Sequence, residues 1–438
     1  MVRQENGTCY EYRESGLDWL GKIPAHWEVR GLGSYGKFVS GTGFPHDFQG
    51  HQDAEIPFFK VSDTNIPGNE ILLSVANNTV SRDVVRRLGA KICPTGTVVF
   101  PKVGAALFQN KRRILQQPAV FDNNMMGFIP SVGDERYWYY WLTQLDFAQV
   151  ANPGAVPSIS EALVRRMPGL RPPDAEQRAI ADFLDRETAR IDQLIEKKQR
   201  MVDVVLERQS AVLEQMTFGA EQGWRRVPFK WICRIPNGQV DPTVQPWSDL
   251  PLIAPNHIES GTGRLLALET AANQGAISGK YAFSKGTVLY SKIRPELAKA
   301  CIAPERGLCS ADMYPIIPGE SLMPEYLLMQ LLSPSFTSWA VLESMRVAMP
   351  KLNREALGSF RVIVPPLAVQ SALVAQWRSG QEKAERLLDY INRAITSLRE
   401  FRSALITAAV TGQIDPDTWR KRGDTERRLE AIEAEVNP

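Results

Sequence analysis

Cysteine and histidine are scarce in this 438-residue chain, and their scarcity excludes much chemistry. The five cysteines (Cys9, Cys93, Cys233, Cys301, Cys309) form no Cys-x-x-Cys pair, so neither a disulfide framework nor a zinc knuckle is supported. Free thiols in a reducing compartment fit better. Four histidines, His26, His46, His51 and His257, are too scattered to build a Ser/His/Asp or Cys/His constellation. No apolar run reaches the roughly 18 residues that a membrane helix needs, and the opening MVRQENGTCYEYRESG lacks the apolar core of a signal peptide. A cytoplasmic protein is expected. One-signed charge is missing too, since 51 Lys and Arg against 49 Asp and Glu leave a net charge of +2. Nucleic-acid binding would have to come from a local basic surface. What is present is ordinary for a soluble protein, with 44% hydrophobic and 23% charged residues, and a length that implies roughly two to four domains.

Several motifs imitate chemistry that the chain does not support. GLDWLGKI (16–23) and GLGSYGKF (31–38) both satisfy G-x-x-x-x-G-K, but neither has the Ser or Thr that should hold magnesium, and neither follows a buried strand. FPHDFQGHQD gathers His46, Asp47, His51 and Asp53 with no matching ligand cluster elsewhere, which reads as a solvated loop and not a metal site. A DNA methyltransferase should carry a Gly-rich cofactor loop and an Asn- or Asp-Pro-Pro-aromatic tetrapeptide, and the chain has only NPGA at Asn152. Catalysis by this chain is not expected.

Sliding the sequence against itself is more productive, because a fixed offset exposes tandem architecture. Pro172-Pro173, Gln177, Leu194, Ser210 and Gly219 recur as Pro365-Pro366, Gln370, Leu387, Ser403 and Gly412, each pair 193 residues apart. Upstream, GTVVFPKV (96–103) resembles GTVLYSKI (286–293) at an offset of 190, with Asp122 on Asp312. After each Pro-Pro comes a stripe of apolar residues spaced alternately by three and four. It runs through Ile180, Leu184, Ile191, Leu194, Met201, Val205 and Val212, and again through Leu373, Trp377, Ala384, Leu387, Ile391, Ala394, Leu398, Phe401 and Leu405. Prolines suit an extended entry and first helical turn, glycine a stop, so each stripe predicts one long helix of a coiled coil. Helix one arrives at the second globular part and helix two leaves it, so paired helices must be antiparallel. Some 40 residues then give a rod of roughly 60 Å.

The fold class expected is α+β: two tandem α+β domains separated by a long antiparallel two-helix coiled coil with pseudo-two-fold symmetry. The boundaries are 1–169 for the first domain, 170–220 for the first long helix, 221–362 for the second domain, 363–415 for the second helix and 416–438 for a charged tail. Strands are expected in AEIPFFKVSDTNI, GTVVFPKV and GTVLYSKI, and amphipathic helices in DERYWYYWLTQLDFAQVA and MPEYLLMQLLSPSFTSWAVLES. A short strand should lead into each Pro-Pro. Basic residues cluster after corresponding strands, Lys102 with Lys111, Arg112 and Arg113 in the first copy and Lys292, Arg294 and Lys299 in the second. Such clusters neutralise phosphates, and an arginine can read guanine through a bidentate pair. Lys60 and Arg264 are further candidates. The expected coiled-coil interface comprises Ile180, Leu184, Ile191, Leu194, Val205, Leu373, Leu387, Ile391, Leu398 and Leu405.

Over residues 12–415 the chain resembles the specificity subunit of a type I restriction-modification system. The resemblance is carried by SGLDWLGKIPAHWEV, by GTVVFPKVGAALFQNKRRIL with DNNMMGFIP, by PPDAEQRAIADFLDRETARIDQLIEKKQ and by VLYSKIRPELAKACIA. It implies that each globular part is a target-recognition domain reading one half of a bipartite, non-palindromic site in double-stranded DNA. It further implies that the coiled coil docks two modification subunits, to which motor-nuclease restriction subunits add. S-adenosylmethionine, ATP and magnesium would then belong to those partners, with no cofactor and no membrane contact in this chain. Two departures stand out: Val369 replaces the glutamate found at Glu176, and Gly380 falls in the heptad frame, so the first turns of helix two are expected to be less regular. A coiled-coil scaffold that binds proteins at both ends and no nucleic acid is the alternative reading.

Overall fold

In a computed structural model, the described residues are 11–152, 154, 156–219, 223–266, 268–345 and 351–436. They form two compact units, Met1–Lys197 with Arg393–Pro438, and Lys198–Asn392. In the first unit a five-stranded sheet runs in the order Gly36–Ser40, Met125–Pro130, Val98–Pro101, Arg113–Leu115, Leu72–Leu73, antiparallel except for its last pair. A smaller sheet orders Val120–Phe121, Ile56–Phe59 and Thr79–Val80. The strand Val98–Pro101 is buried on both faces, as its unbroken β-branched and aromatic run requires. The expected strand around Ile56 stops at Phe59, because Asp63 bends the chain into a 3-10 turn over Val61–Asn65 by accepting the Lys60 amide at 2.8 Å. The aromatic helix is short, Glu135–Thr143, capped by the Asp134 carboxylate, and buries every residue from Tyr137 to Leu142.

The second unit repeats the plan with fewer strands: Cys233–Arg234, Met313–Pro318, Val288–Ser291 and Ala300–Ile302 form one sheet, and Leu252–Ile253, Gly307–Cys309 and Tyr281–Phe283 another. The expected single helix after Met323 is two, Pro324–Leu332 and Pro334–Ser344, since Pro334 has no N–H to continue the first. The first of these is buried along Tyr326–Leu332 and not amphipathic. The short strands before each Pro-Pro are present, Pro168–Arg171 pairing with Glu28–Gly31 and Arg361–Val364 with Arg225–Pro228.

The long helices run Asp174–Thr217 and Leu367–Val410, 44 residues each, and the second is continuous through Gly380. The irregularity expected there is absent, because Gly380 adopts helical backbone and costs only about 1 kcal/mol of propensity, which a 44-residue helix absorbs. Both helices contribute to each unit. In the first, Tyr137 Oη lies 2.8 Å from the Leu170 carbonyl and 3.3 Å from that of Val410, while Arg402 grips Asp192 further along, so the two segments are antiparallel. Ile180, Leu184 and Ile191 are buried there with Leu398 and Leu405, each stabilising by about 1.5–3 kcal/mol. Tyr12 Oη donates to the Gly412 carbonyl at 3.0 Å, bringing the end of the second helix to the N-terminal hairpin. Beyond it the tail folds into helices Pro416–Arg422 and Asp424–Val436, and Arg190 pairs with Glu426.

The Pro-Pro-x-x-x-Gln repeat has a definite job. Gln177, fully buried, donates to the Pro172 carbonyl at 2.8 Å and accepts the Asp134 amide at 3.1 Å. Gln370 donates to the carbonyls of Pro365 and Ser321, at 2.8 and 2.9 Å, and accepts the Met323 amide at 2.8 Å. In both units one side chain ties the helix entry to the start of the buried aromatic or leucine-rich helix. Gly133 must be glycine beside this tie, with φ +83° and a Cβ position only 2.1 Å from Gln177 Oε1.

Candidate nucleic-acid interface

In the first unit the strand Val98–Pro101 delivers Lys102, whose amide donates to the Asn124 carbonyl at 2.8 Å and whose carbonyl accepts the Ile159 amide at 3.0 Å. Its ammonium has no hydrogen bond or ion pair among the described residues, which leaves it available to an anion. A 3-10 turn, Ala105–Gln109, follows between Gly104 (φ +75°) and Asn110 (φ +50°), with Phe108 54% exposed.

The Lys-Arg-Arg run beyond that turn splits three ways. Lys111 bonds the side chain of Asn65. Arg113 is half-buried and donates to the carbonyls of Thr64 and Arg112, at 3.0 and 2.7 Å. Arg112 is 1% exposed, its guanidinium 4.0 Å from the Phe147 ring centroid and 5.3 Å from that of Phe100, donating to the Leu145 and Lys111 carbonyls. Burial pushes it down to about 9, so it stays charged near neutrality. Arg112 is therefore a core cation that cannot touch a phosphate, which corrects the expectation for it; it stands just before the strand Arg113–Leu115, where its guanidinium packs on Phe147 and Phe100. Lys60 donates to Gln49 Oε1 at 3.0 Å.

The second unit places Lys292 where the first has Lys102. Its amide donates to the Asp312 carbonyl at 2.9 Å and its carbonyl accepts the Leu352 amide at 2.8 Å. Its ammonium is engaged, donating to the Ala311 carbonyl at 2.6 Å above the Tyr314 ring. Lys299 likewise donates to the Pro255 carbonyl at 2.8 Å. Arg294 is exposed and has no such partner among the described residues. Arg264, also exposed, is held bidentate by Glu259, both bonds 2.9 Å, and the pair depresses the Glu259 carboxyl. Sequence reasoning missed Trp231, 74% exposed beside Lys230 and Arg234; hydropathy assigns tryptophan to a core and offers no signal for this position.

Along the helices the stripe is partly displaced. Leu194 and Leu373 are half-buried while their neighbours Ile195 and Val374 are buried, and Val212 yields to Leu213 in the same way. Val205 is half-buried and Leu387 is 41% exposed, so Leu387 is not an interface residue. A helix of 3.6 residues per turn drifts about 20° per heptad against a strict repeat, which moves the buried face to the next residue. Among the described residues no group of acidic, histidine or cysteine side chains could hold a metal ion, and no helix is long and apolar enough to cross a membrane.

The family model described as type I restriction modification DNA specificity domain matches residues 24–202. The specificity subunit of the type I restriction enzyme EcoDI from Escherichia coli is 27% identical over 337 residues, 68% of this chain and 76% of that protein. A chain solved in work on complex assembly and conformational transition of the type I R-M system superposes with a TM-score of 0.68 at 15% identity, over 90% of this chain and 99% of that one. The HsdS subunit from Thermoanaerobacter tengcongensis gives a TM-score of 0.47 at 16% identity, over 90% of this chain and 98% of that one.

Proposed function

We propose that this chain is a DNA specificity subunit of the type I restriction-modification kind, in which each unit reads one half of a bipartite DNA site and the chain directs partner subunits without itself catalysing; the matched family model and the similar specificity subunit support this. The observation that carries this reading is the matched pair of turns. Lys102 and Lys292 leave equivalent strands with the same backbone bonds, and each is followed by a 3-10 turn. The cations without a partner among the described residues at these turns differ, Lys102 in one unit and Arg294 in the other, so the half-sites should differ and the target be non-palindromic. The long helices would set the unread spacer. Methylation and cleavage would be the work of modification and restriction subunits that bring S-adenosylmethionine, ATP and magnesium. Docking of the modification subunits on the helices is supported by Met201 and Val204, 47 and 61% exposed and neighbours on the helix surface at a spacing of three. Isolated apolar residues need no partner, but two side by side on an exposed helix face are of the kind interfaces use.

The test is a salt titration of the assembled complex on a duplex carrying its methylated site. Each neutralised phosphate contributes about −0.9 to the slope of log K against log salt, so affinity should fall steeply between roughly 50 and 200 mM. A flat response would favour the protein scaffold that binds no nucleic acid. Lys102→Ala should weaken binding and leave the base preferences of the second unit's half-site unchanged; full affinity in that variant would remove Lys102 from the interface.

A further inference from the structure

The turn from Lys292 to Lys299 is more constrained than a phosphate contact requires. Arg294 (φ +49°, ψ +58°) and Ala298 (φ +44°, ψ +49°) both occupy the left-handed region. Residues with a side chain rarely adopt it, and Pro295 pushes the residue before it towards extended backbone. Such conformations persist only where the surroundings over-determine them. Here Lys292 Nζ donates to the Ala311 carbonyl and Lys299 Nζ to the Pro255 carbonyl, at 2.6 and 2.8 Å. Ser291 Oγ donates to the Ile293 carbonyl at 3.0 Å, the Gly261 amide to the Ala298 carbonyl at 3.2 Å, and Pro295 is buried. Among the described residues, the cation that this frame holds out without a partner is Arg294.

Resting on the reading of this chain as a DNA specificity subunit, we propose that Arg294 is the base-reading side chain of the second unit. Its two parallel N–H donors would take O6 and N7 of a guanine in the major groove. A flexible lysine suffices for a phosphate, whereas reading a base edge needs the guanidinium plane held to within about half an ångström. That difference is what the strained, tethered turn supplies. In this role Lys292 and Lys299 are positioning residues and not contacts. The first unit cannot make the same contact, because Gly104 stands at the matching place with no side chain, and its free cation is Lys102.

Arg294→Gly suits the left-handed backbone, and Arg294→Lys keeps the charge without the fork. Each variant is assembled with its modification subunits and offered a duplex library randomised in both half-sites. Both should lose roughly five- to a hundred-fold discrimination for guanine at one position of one half-site, with the other half-site read as before. Lys299→Met should relax that same position and no other. Uniform weakening across all sequences, or wild-type preferences in Arg294→Lys, overturns the base-reading role while leaving DNA recognition by the chain intact. A wild-type complex with no sequence preference would overturn the broader reading instead.

Discussion

Replacing Gln177 by leucine keeps the volume near the helix entry but removes every polar atom that ties it. The Pro172 carbonyl and the Asp134 amide are left without their side-chain partner. At about 2 kcal/mol for each buried group left unmade, the loss is about 4 kcal/mol. Burial of the leucine returns about 2 kcal/mol, for a net destabilisation of about 2 kcal/mol. Gln370→Leu strands three groups, the Pro365 and Ser321 carbonyls and the Met323 amide, and by the same reasoning costs about 4 kcal/mol. A chain with two compact units does not melt as one, so a single melting temperature is the wrong readout. Hydrogen exchange followed by mass spectrometry reads each unit separately. Gln177→Leu should accelerate exchange roughly thirty-fold in the peptide around Asp134 and leave that around Met323 unchanged, and Gln370→Leu should do the reverse with a larger factor. Wild-type protection at Asp134 in Gln177→Leu, or equal acceleration at both sites, would refute the idea that each glutamine locks its own unit.

Arg112→Lys should destabilise the first unit by about 2 kcal/mol, because an ammonium cannot lie against both Phe100 and Phe147 while reaching the Leu145 carbonyl. Urea unfolding measures that loss, and the salt slope of DNA binding should not move; a shallower slope would return Arg112 to the interface. The thiols of Cys93, Cys233, Cys301 and Cys309 are buried and pushed up to about 11, 12, 12 and 12. Since the thiolate is the reactive form, these four should resist Ellman's reagent at pH 8 until denaturant is added, and rapid labelling of any of them in the folded protein would contradict the packing; Cys9 lies outside the described residues. Inserting seven residues in phase into both long helices adds about 10.5 Å, or roughly three base pairs, to the spacer that the complex methylates. An unchanged spacer in the methylated sites would show that the helices do not set it.

The sequence was most informative where one physical rule acts alone. The 193-residue offset and the three-four stripe specify two long helices, because helix periodicity is local and the charged opposite face leaves only one side to bury. It was one residue out at Leu194, Leu373 and Val212, where the twist of a real helix against an ideal heptad decides which neighbour faces inward. It failed at Arg112, since a run of three cations says nothing about which one packs into an aromatic core. The lock made by Gln177 was visible only as an unexplained recurrence. One of its two partners, Asp134, lies 43 residues back in the chain and could not be inferred from spacing.

The same comparison separates what the two copies must share from what they must vary. Both keep the glutamine lock, the strand before the prolines and the strand that ends at Lys102 or Lys292, all of which depend on backbone partners and tolerate no freedom. They differ at the free end of that strand, where the first copy has Gly104 and the second Arg294, and at the helix entry, where Glu176 accepts from Trp27 Nε1 at 2.9 Å and from His26 at 2.8 Å. In the second unit Val369 stands at the glutamate's place and lines an apolar groove of about 410 Å³ with Trp224. A tie between main-chain atoms fixes geometry whatever the side chains around it, so a duplicated frame can keep its register while each copy changes its reading surface. Two such frames with independently variable turns would suit the bipartite, asymmetric DNA site proposed for this chain.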